Sequence, residues 1–311
     1  SVPASPCEQA GVKDPLNKLF DLLASLAGKR AAFETPPVEA APVEAPPVGS
    51  MLLPLNTPPI SIETEVDADR LQLLLAHTEA TWTRLGREEP HWSVISAERF
   101  KQNQLSAHEA EFYASGAGDV DTFFAFMTRN GVDPGPFERV LELGCGLGRV
   151  TRFLAERFPQ VLACDISPTH LQQAQDYLAG QGLANTRFVR IQGIADLQGP
   201  ADLDAVFSVI VLQHNPPPAI AAILAALLQR LRIGGVAYFQ VPTHAADYRF
   251  KLDDYLAHGL AARHIEMHCV PQRLVFRIAA EAGCEVLEVR EDDWVGRRQV
   301  ELSNTFLLRK R

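Results

Sequence analysis

The chain has 311 residues, 47% hydrophobic and 22% charged, which suits one large domain or one domain with an extension. Its net charge of −9 argues against a nucleic-acid backbone as the main partner, because that affinity depends on Lys and Arg neutralising phosphates. No run approaches the roughly 20 apolar residues that span a bilayer, no charged-then-apolar signal opens the sequence, and the scattered cysteines read as those of a cytoplasmic protein.

Residues 14–33 read as a helix, with Asp14 as its cap and Pro15 at its first position. Leu16, Leu19, Phe20, Leu23 and Leu26 form an apolar stripe at helical spacing. That stripe suits docking on the chain's own domain, on a second copy, on another protein, or peripherally at a membrane surface. Residues 35–59 are dominated by Pro, Ala, Val and Glu and read as a semi-extended linker. Helical spacing returns over 66–85 through Leu71, Leu74, Leu75, His77 and Trp82. Glu89-Pro-His-Trp-Ser-Val and residues 100–113 follow. A further helix over 119–130 carries Phe123, Phe124, Phe126 and Met127, and stops at Gly131 and Pro134. The expected organisation is a helix and linker (1–60), a helical extension (61–135) and a ligand-binding domain (136–311). Cys7, Cys145, Cys164, Cys269 and Cys284 are odd in number and never spaced C-x-x-C, so they read as reduced thiols.

The stretch from Val140 to Arg149, V-L-E-L-G-C-G-L-G-R, organises what comes after it. Val140, Leu141 and Leu143 make a buried strand, closed by Gly144, Gly146 and Gly148. A helix from Thr151 then sets Phe153, Leu154 and Phe158 on one side. This is the first βα unit of an open α/β sheet, whose ligands bind beyond the carboxyl ends of the strands. The glycines are spaced G-x-G-x-G, not the G-x-G-x-x-G of dinucleotide folds. Glu142 would repel a pyrophosphate and suits a ligand bearing an ammonium group. Val161-Leu-Ala-Cys-Asp165 ends a second strand in a carboxylate suited to both hydroxyls of a ribose.

In these residues the chain resembles the class I S-adenosylmethionine (SAM)-dependent methyltransferases. Glu142-Leu-Gly-Cys-Gly-Leu-Gly148 matches their first motif, and Asp165 their ribose-binding acid. The resemblance implies a Rossmann-like α/β fold: a seven-stranded, mostly parallel sheet with the last strand antiparallel, preceded by a helical lid. It implies SAM as cofactor and S-adenosylhomocysteine as product. Glu142, Gly144, Cys145, Gly146 and Gly148 would hold the amino-acid end, Asp165 and Ile166 the ribose, and Ile194, Ala195 and Asp196 the adenine. Gln213 and Tyr113 would complete the cofactor site, and His91 and Trp92 the lid over the acceptor.

Beyond Asp165, Ser167-Pro opens a helix with a serine cap. Strands are expected over 187–192, 203–212 and 236–241, a helix over 219–231, and two last strands, paired antiparallel as the resemblance implies, over 284–291 and 305–311. His214, in the exit loop of the fourth strand, is the candidate general base, since an imidazole titrates in the right range. Asn215-Pro-Pro partly matches an amino-methylation motif, but Pro218 stands where an aromatic belongs. The triplet reads instead as a helix start capped by Asn215. His244, Tyr248 and Arg249, after the fifth strand, would overhang the same rim, with Asn215 and His268 as further acceptor contacts. His264 and His268 lack the spacing of a zinc site, so no metal is expected. The Pro-His-Trp-Ser-Val segment, the Gln213-His-Asn-Pro-Pro loop and Glu266-Met-His are similar to methyltransferases of bacterial polysaccharide and glycoconjugate assembly. The expected function is O-methylation of a sugar hydroxyl. The alternatives are a small phenolic or polyketide-like acceptor, favoured by an apolar pocket, and a SAM-binding scaffold without turnover. A homo-oligomer is a further expectation.

Overall fold

A computed structural model describes residues 53–54, 56–295 and 300–311, which lie in one unit spanning Val48–Arg311. The expected helix over 14–33, most of the linker and Cys7 lie outside the described residues. A short strand β1 (Ser61–Ile62) leads into helices α1 (Ala68–Glu88), α2 (Pro90–Val94), α3 (Glu109–Ala114) and α4 (Gly116–Arg129). Strands and helices then alternate: β2 (Arg139–Leu143), α5 (Thr151–Arg157), β3 (Gln160–Asp165), α6 (Pro168–Gly180), β4 (Thr186–Arg190), β5 (Leu203–Ser208), α7 (Pro217–Gln229) and β6 (Leu231–Ala245). A two-residue β7 (Arg249–Phe250), α8 (Leu252–His258) and α9 (Gln272–Glu281) precede β8 (Cys284–Asp292) and β9 (Glu301–Lys310).

Seven strands form one sheet in the order β4-β3-β2-β5-β6-β9-β8, while β1 and β7 make a separate parallel pair. Among the described strands of this sheet, β9 alone runs opposite to the rest, antiparallel to both β6 and β8. Strand order reverses between β2 and β5, so their carboxyl ends open a crevice where such sheets bind ligands. The period of two divides the core. Leu141, Leu143, Val206 and Phe239 pack under α7 and α9, whereas Val140, Ala205, Phe207 and Tyr238 pack under Phe123, Phe126 and Met127 of α4. The helical extension therefore shares its core with the sheet.

Local signals explain several boundaries. Ser167 accepts from His170 N and Pro168 follows it, starting α6 as expected. Asp67 accepts from Arg70 N at the start of α1. Three expectations are corrected. The fourth strand ends at Ser208, not 212, because the chain turns at Ile210 (φ 59°). The fifth strand runs from Leu231 to Ala245, since β9 pairs along it, and a bulge accommodates Pro242. Asn215 does not cap α7: its side-chain amide donates to Val211 O, and Pro216 takes the cap position. No helix among the described residues is long and apolar enough to cross a membrane.

Candidate active site

The floor of the crevice is the turn after β2. Gly144, at φ 77°, sits where a Cβ would collide with Val211, and a Cβ on Gly146, at φ 51°, would press on Val94 of α2. Gly144 N and Cys145 N both donate to Cys164 O (2.7 and 3.0 Å), locking the turn to β3. Asp165 at the end of β3 accepts from Gly146 N and Ser167 N (2.8 Å each), so its carboxylate is oriented by backbone from two turns.

Glu142 lies beside this turn, only 2% exposed, and its Oε2 has no hydrogen-bond partner among the described residues. Burial pushes its carboxyl up to about 7, against the pull of Thr151 and the Arg149 guanidinium. Arg149 pairs with Asp119 (2.6 Å) and reaches Ser115 Oγ (3.2 Å), leaving its Nε without a partner. A dry carboxylate with a spare oxygen beside a dry guanidinium with a spare N–H is a receptor for paired opposite charges.

The roof comes from the helical extension. Leu75, Thr78 and Trp82 of α1 and Ser93 and Val94 of α2 line the cavity. Ser93 Oγ donates to Pro90 O (2.7 Å) and stands 3.0 Å from Nε2 of His170, tying α2 to α6. Burial lowers the His170 imidazole, so it stays neutral at pH 7. Ile166, Ile191 and Leu197 make an apolar wall at one end. Phe207, Val209, Ile210, Val211, His214 and Asn215 make the other.

His214 reaches that second wall through a short 3-10 turn, Leu212–His214. Its Nδ1 lies 2.9 Å from Glu266 O, its Nε2 lies 3.4 Å from Gln213 Nε2, and its ring centroid is 5.0 Å from that of Trp82. Burial drops its pKa to about 4, with the charge of His268 adding to the fall and the Glu266 carbonyl opposing it. Ile210, a β-branched residue in the left-handed region, is held there by donation from its N–H to Gln240 Oε1 (3.0 Å). Such a conformation persists only where the surrounding structure holds it in place.

Eight of the expected residues therefore meet in one cavity: Glu142, Gly144, Cys145, Gly146, Asp165, Ile166, His214 and Asn215. The others stand outside its lining. Gly148 packs against Leu178 and Ala174 behind the turn. Asp196 is exposed and accepts from Gln192 N and Gly193 N, closing its own loop, and Ile194 and Ala195 share that loop. Gln213 is buried one layer behind His214, and Tyr113 stacks on Tyr177 with centroids 3.7 Å apart. His91 is buried against Phe112, and Trp92 lies under Lys101. His244 is within β6, Arg249 is exposed on β7, and Tyr248 bonds His268 in a separate cluster. Thr78, Trp82, Ser93, Val94, Arg149 and His170 line the cavity without having been singled out as site residues. Of these, Trp82 lay on the helical stripe, Arg149 next to the last glycine, and Ser93 and Val94 in the Pro-His-Trp-Ser-Val segment; Thr78 and His170 carried no sequence signal. Among the described residues no group of three His, Cys, Asp or Glu is arranged to hold a metal ion.

Residues 140–235, from β2 through the start of β6, match a family model described as a methyltransferase domain. This segment is similar to methyltransferase domains. The chain is similar to a trans-aconitate 2-methyltransferase of Deinococcus radiodurans, 42% identical over 112 residues, covering 35% of this chain and 40% of that protein. It is similar to a ubiquinone biosynthesis O-methyltransferase of Idiomarina loihiensis, 33% identical over 103 residues, covering 33% and 41%. The chain thus spans about 40% of the length of these relatives. Among solved structures, the magnesium protoporphyrin IX methyltransferase of Synechocystis PCC 6803 superposes with a TM-score of 0.47 at 18% identity, covering 63% of this chain and 84% of that one. The matched segment supplies the floor of the cavity, and the helical extension its roof.

Proposed function

We propose that the chain transfers the methyl group of SAM to a hydroxyl of an uncharged, ring-shaped acceptor, with a phenolic acceptor favoured and His214 accepting the proton. The observation that carries this reading is the cavity itself. A buried carboxylate with a free oxygen lies at one end, and a neutral imidazole beside an indole lies on an otherwise apolar wall. SAM fits the floor: Glu142 would take its ammonium, Arg149 Nε its carboxylate, Asp165 its ribose hydroxyls, and Ile166, Ile191 and Leu197 its adenine. Bound there, it would supply an electrophilic methyl: the bond from the acceptor oxygen to that carbon forms as its bond to the sulfonium sulfur breaks, and S-adenosylhomocysteine leaves. Closure by α1 and α2 keeps water from competing for that methyl and aligns the acceptor.

The work of His214 follows from its environment. With a pKa of about 4, the imidazole is neutral across the ordinary range, so its lone pair is available to an acceptor hydroxyl. A phenolic hydroxyl is a far weaker acid than this imidazolium, its pKa being about 10. As the oxygen gains the methyl its acidity rises steeply, and a late proton transfer to a weak base becomes downhill. The wall beside His214 (Phe207, Val209, Ile210, Val211 and Trp82) carries no charge that would attract a polycarboxylate. Because His244, Tyr248, Arg249 and Trp92 stand outside the cavity, the polar rim that favoured a sugar is missing from this wall. Trp82 keeps a sugar ring as the second reading, because indole faces stack on sugar C–H groups.

The deciding experiment follows labelled methyl from SAM into fractionated extract of the source cell, comparing wild type with His214→Ala. Label in phenolic or lipid-soluble material, lost by roughly a hundredfold or more in the variant, supports the reading. Label confined to glycans selects the sugar reading. Label confined to acidic metabolites overturns hydroxyl chemistry. SAM binding without any transfer makes the chain a scaffold.

A further inference from the structure

A buried ionisable cluster on the far side of His214 has no part in the transfer derived above. Glu266 Oε2 accepts from the Tyr255 hydroxyl of α8 (2.6 Å). The same oxygen lies 3.5 Å from His77 Nε2 of α1 and 3.7 Å from His268 Nε2. On its other side the His268 ring meets the Tyr248 hydroxyl at Nδ1 (2.8 Å). Burial would raise the Glu266 carboxyl, but the nearby His268 ring, the hydroxyl bond from Tyr255 and the facing His77 hold it below the usual range. A charge this enclosed stays fixed only while all its partners are in place.

Two hydrogen bonds zip this segment to the exit loop of β5. The His268 N–H donates to Gln213 O (2.7 Å), and His214 Nδ1 meets Glu266 O (2.9 Å). A carbonyl can only accept, so Nδ1 carries the proton and Nε2 carries the lone pair. From the sheet side, Gln240 Nε2 donates to Gln213 Oε1 (3.0 Å), so the Gln213 amide nitrogen is turned toward His214 Nε2. The imidazole is therefore gripped by β6 through Gln240 and Gln213, and by the 266–268 segment through one carbonyl. α1 supplies both His77, on Glu266, and Trp82, on His214, so the roof helix and the imidazole are seated by the same residues.

We propose that Glu266 is the positioning residue of His214. Its carboxylate, pinned by Tyr255, His77 and His268, fixes the peptide carbonyl that holds the imidazole as the Nδ1–H tautomer, so that Nε2, met only by the long 3.4 Å contact of the Gln213 amide, carries the lone pair that an acceptor hydroxyl would take over. This rests on the reading of His214 as proton acceptor, and the test separates the two. In the full chain with 15N-labelled imidazoles, the His214 nitrogens report the tautomer directly, with or without turnover. The wild type gives a single Nδ1–H species. Tyr255→Phe, which removes one hydroxyl from the cluster, and Glu266→Ala both give a mixture of tautomers. They lower kcat on the labelled fraction by roughly ten- to a hundredfold while leaving SAM affinity unchanged. Glu266→Gln, which still accepts from Tyr255, recovers most of the rate. A pure Nδ1–H signal in Tyr255→Phe overturns the positioning role, and this variant decides the matter even where Glu266→Ala fails to fold. A mixed tautomer with a wild-type rate leaves Glu266 as the positioning residue and shows that His214 is not the proton acceptor.

Discussion

Glu142 shows how one side chain can be costly alone and useful when matched. Its carboxyl is raised to about 7 by burial, so in the free protein it holds a proton below that pH, whereas the unfolded chain releases it near the ordinary carboxylate value. Its contribution to stability is therefore present below about 4.5 and lost as pH rises through about 7. A bound ammonium requires the ionised form. SAM affinity is expected to weaken by about tenfold per pH unit below pH 7, and Glu142→Gln to bind SAM weakly with that pH dependence abolished; calorimetric titration from pH 5.5 to 8.5 reads both. His214 has the opposite sign. Its lowered pKa means that stability is present above about 6.5 and lost as pH falls through about 4. With SAM saturating, kcat is expected to stay level from pH 8 to about 5 and then fall near 4. A fall centred near 6.5 in the pH–rate profile would refute the buried neutral imidazole.

At the scale of elements, α1 decides whether a glycine turn becomes an enclosed site. Leu74 packs away from the cavity on Phe250 and Leu252, while Leu75, Thr78 and Trp82 face it, so one helix both anchors and covers. Its start depends on Asp67, whose carboxylate accepts from Arg70 N (2.8 Å). Asp67→Ala is expected to cost about 1 kcal/mol in chemical denaturation. Trp82→Ala, in contrast, is expected to raise the acceptor KM roughly tenfold or more with little change in SAM affinity, because the indole borders the His214 wall. Equal losses for both ligands in steady-state kinetics and direct SAM titration would mean that Trp82 only supports the fold.

Across the whole molecule, the extension and the sheet are joined at a point remote from the cavity. Arg129 at the end of α4 donates twice to Glu288 of β8 (2.7 Å each), with Asn130 and Arg290 on the same carboxylate. Although burial opposes it, hydrogen bonds from Arg129, Asn130 and Arg290 hold Glu288 down at about 2. A depressed carboxyl stabilises above its ordinary pKa, and that stabilisation disappears as pH falls from about 4.5 through about 2. Glu288→Gln is expected to lower Tm at pH 7 and to flatten the loss of Tm between pH 4.5 and 3, with kcat unchanged. Melting curves across that range check the slope.

What was legible in the chain itself was whatever a few consecutive residues decide. The run Val140–Leu143, the three glycines and the apolar side of α5 specify a strand, a turn and a helix through local periodicity and backbone freedom. Asp165 and the Ser167 cap follow from the next such unit. These residues built the floor, and the resemblance they carry implied a mostly parallel seven-stranded sheet with its last strand antiparallel. Tertiary structure alone decided the roof and the acceptor wall. Thr78, Trp82 and Ser93 arrive from well before the glycine turn, and no local pattern separates a helix face that covers a ligand from one that covers a core. His244 was lost to the cavity because β9 extended β6 past the expected end, and Asp196 because its carboxylate closed its own loop. Glu266 was legible only in part: His268 stands two residues away, but His77 of α1 and Tyr255 of α8 reach the same carboxylate only through packing.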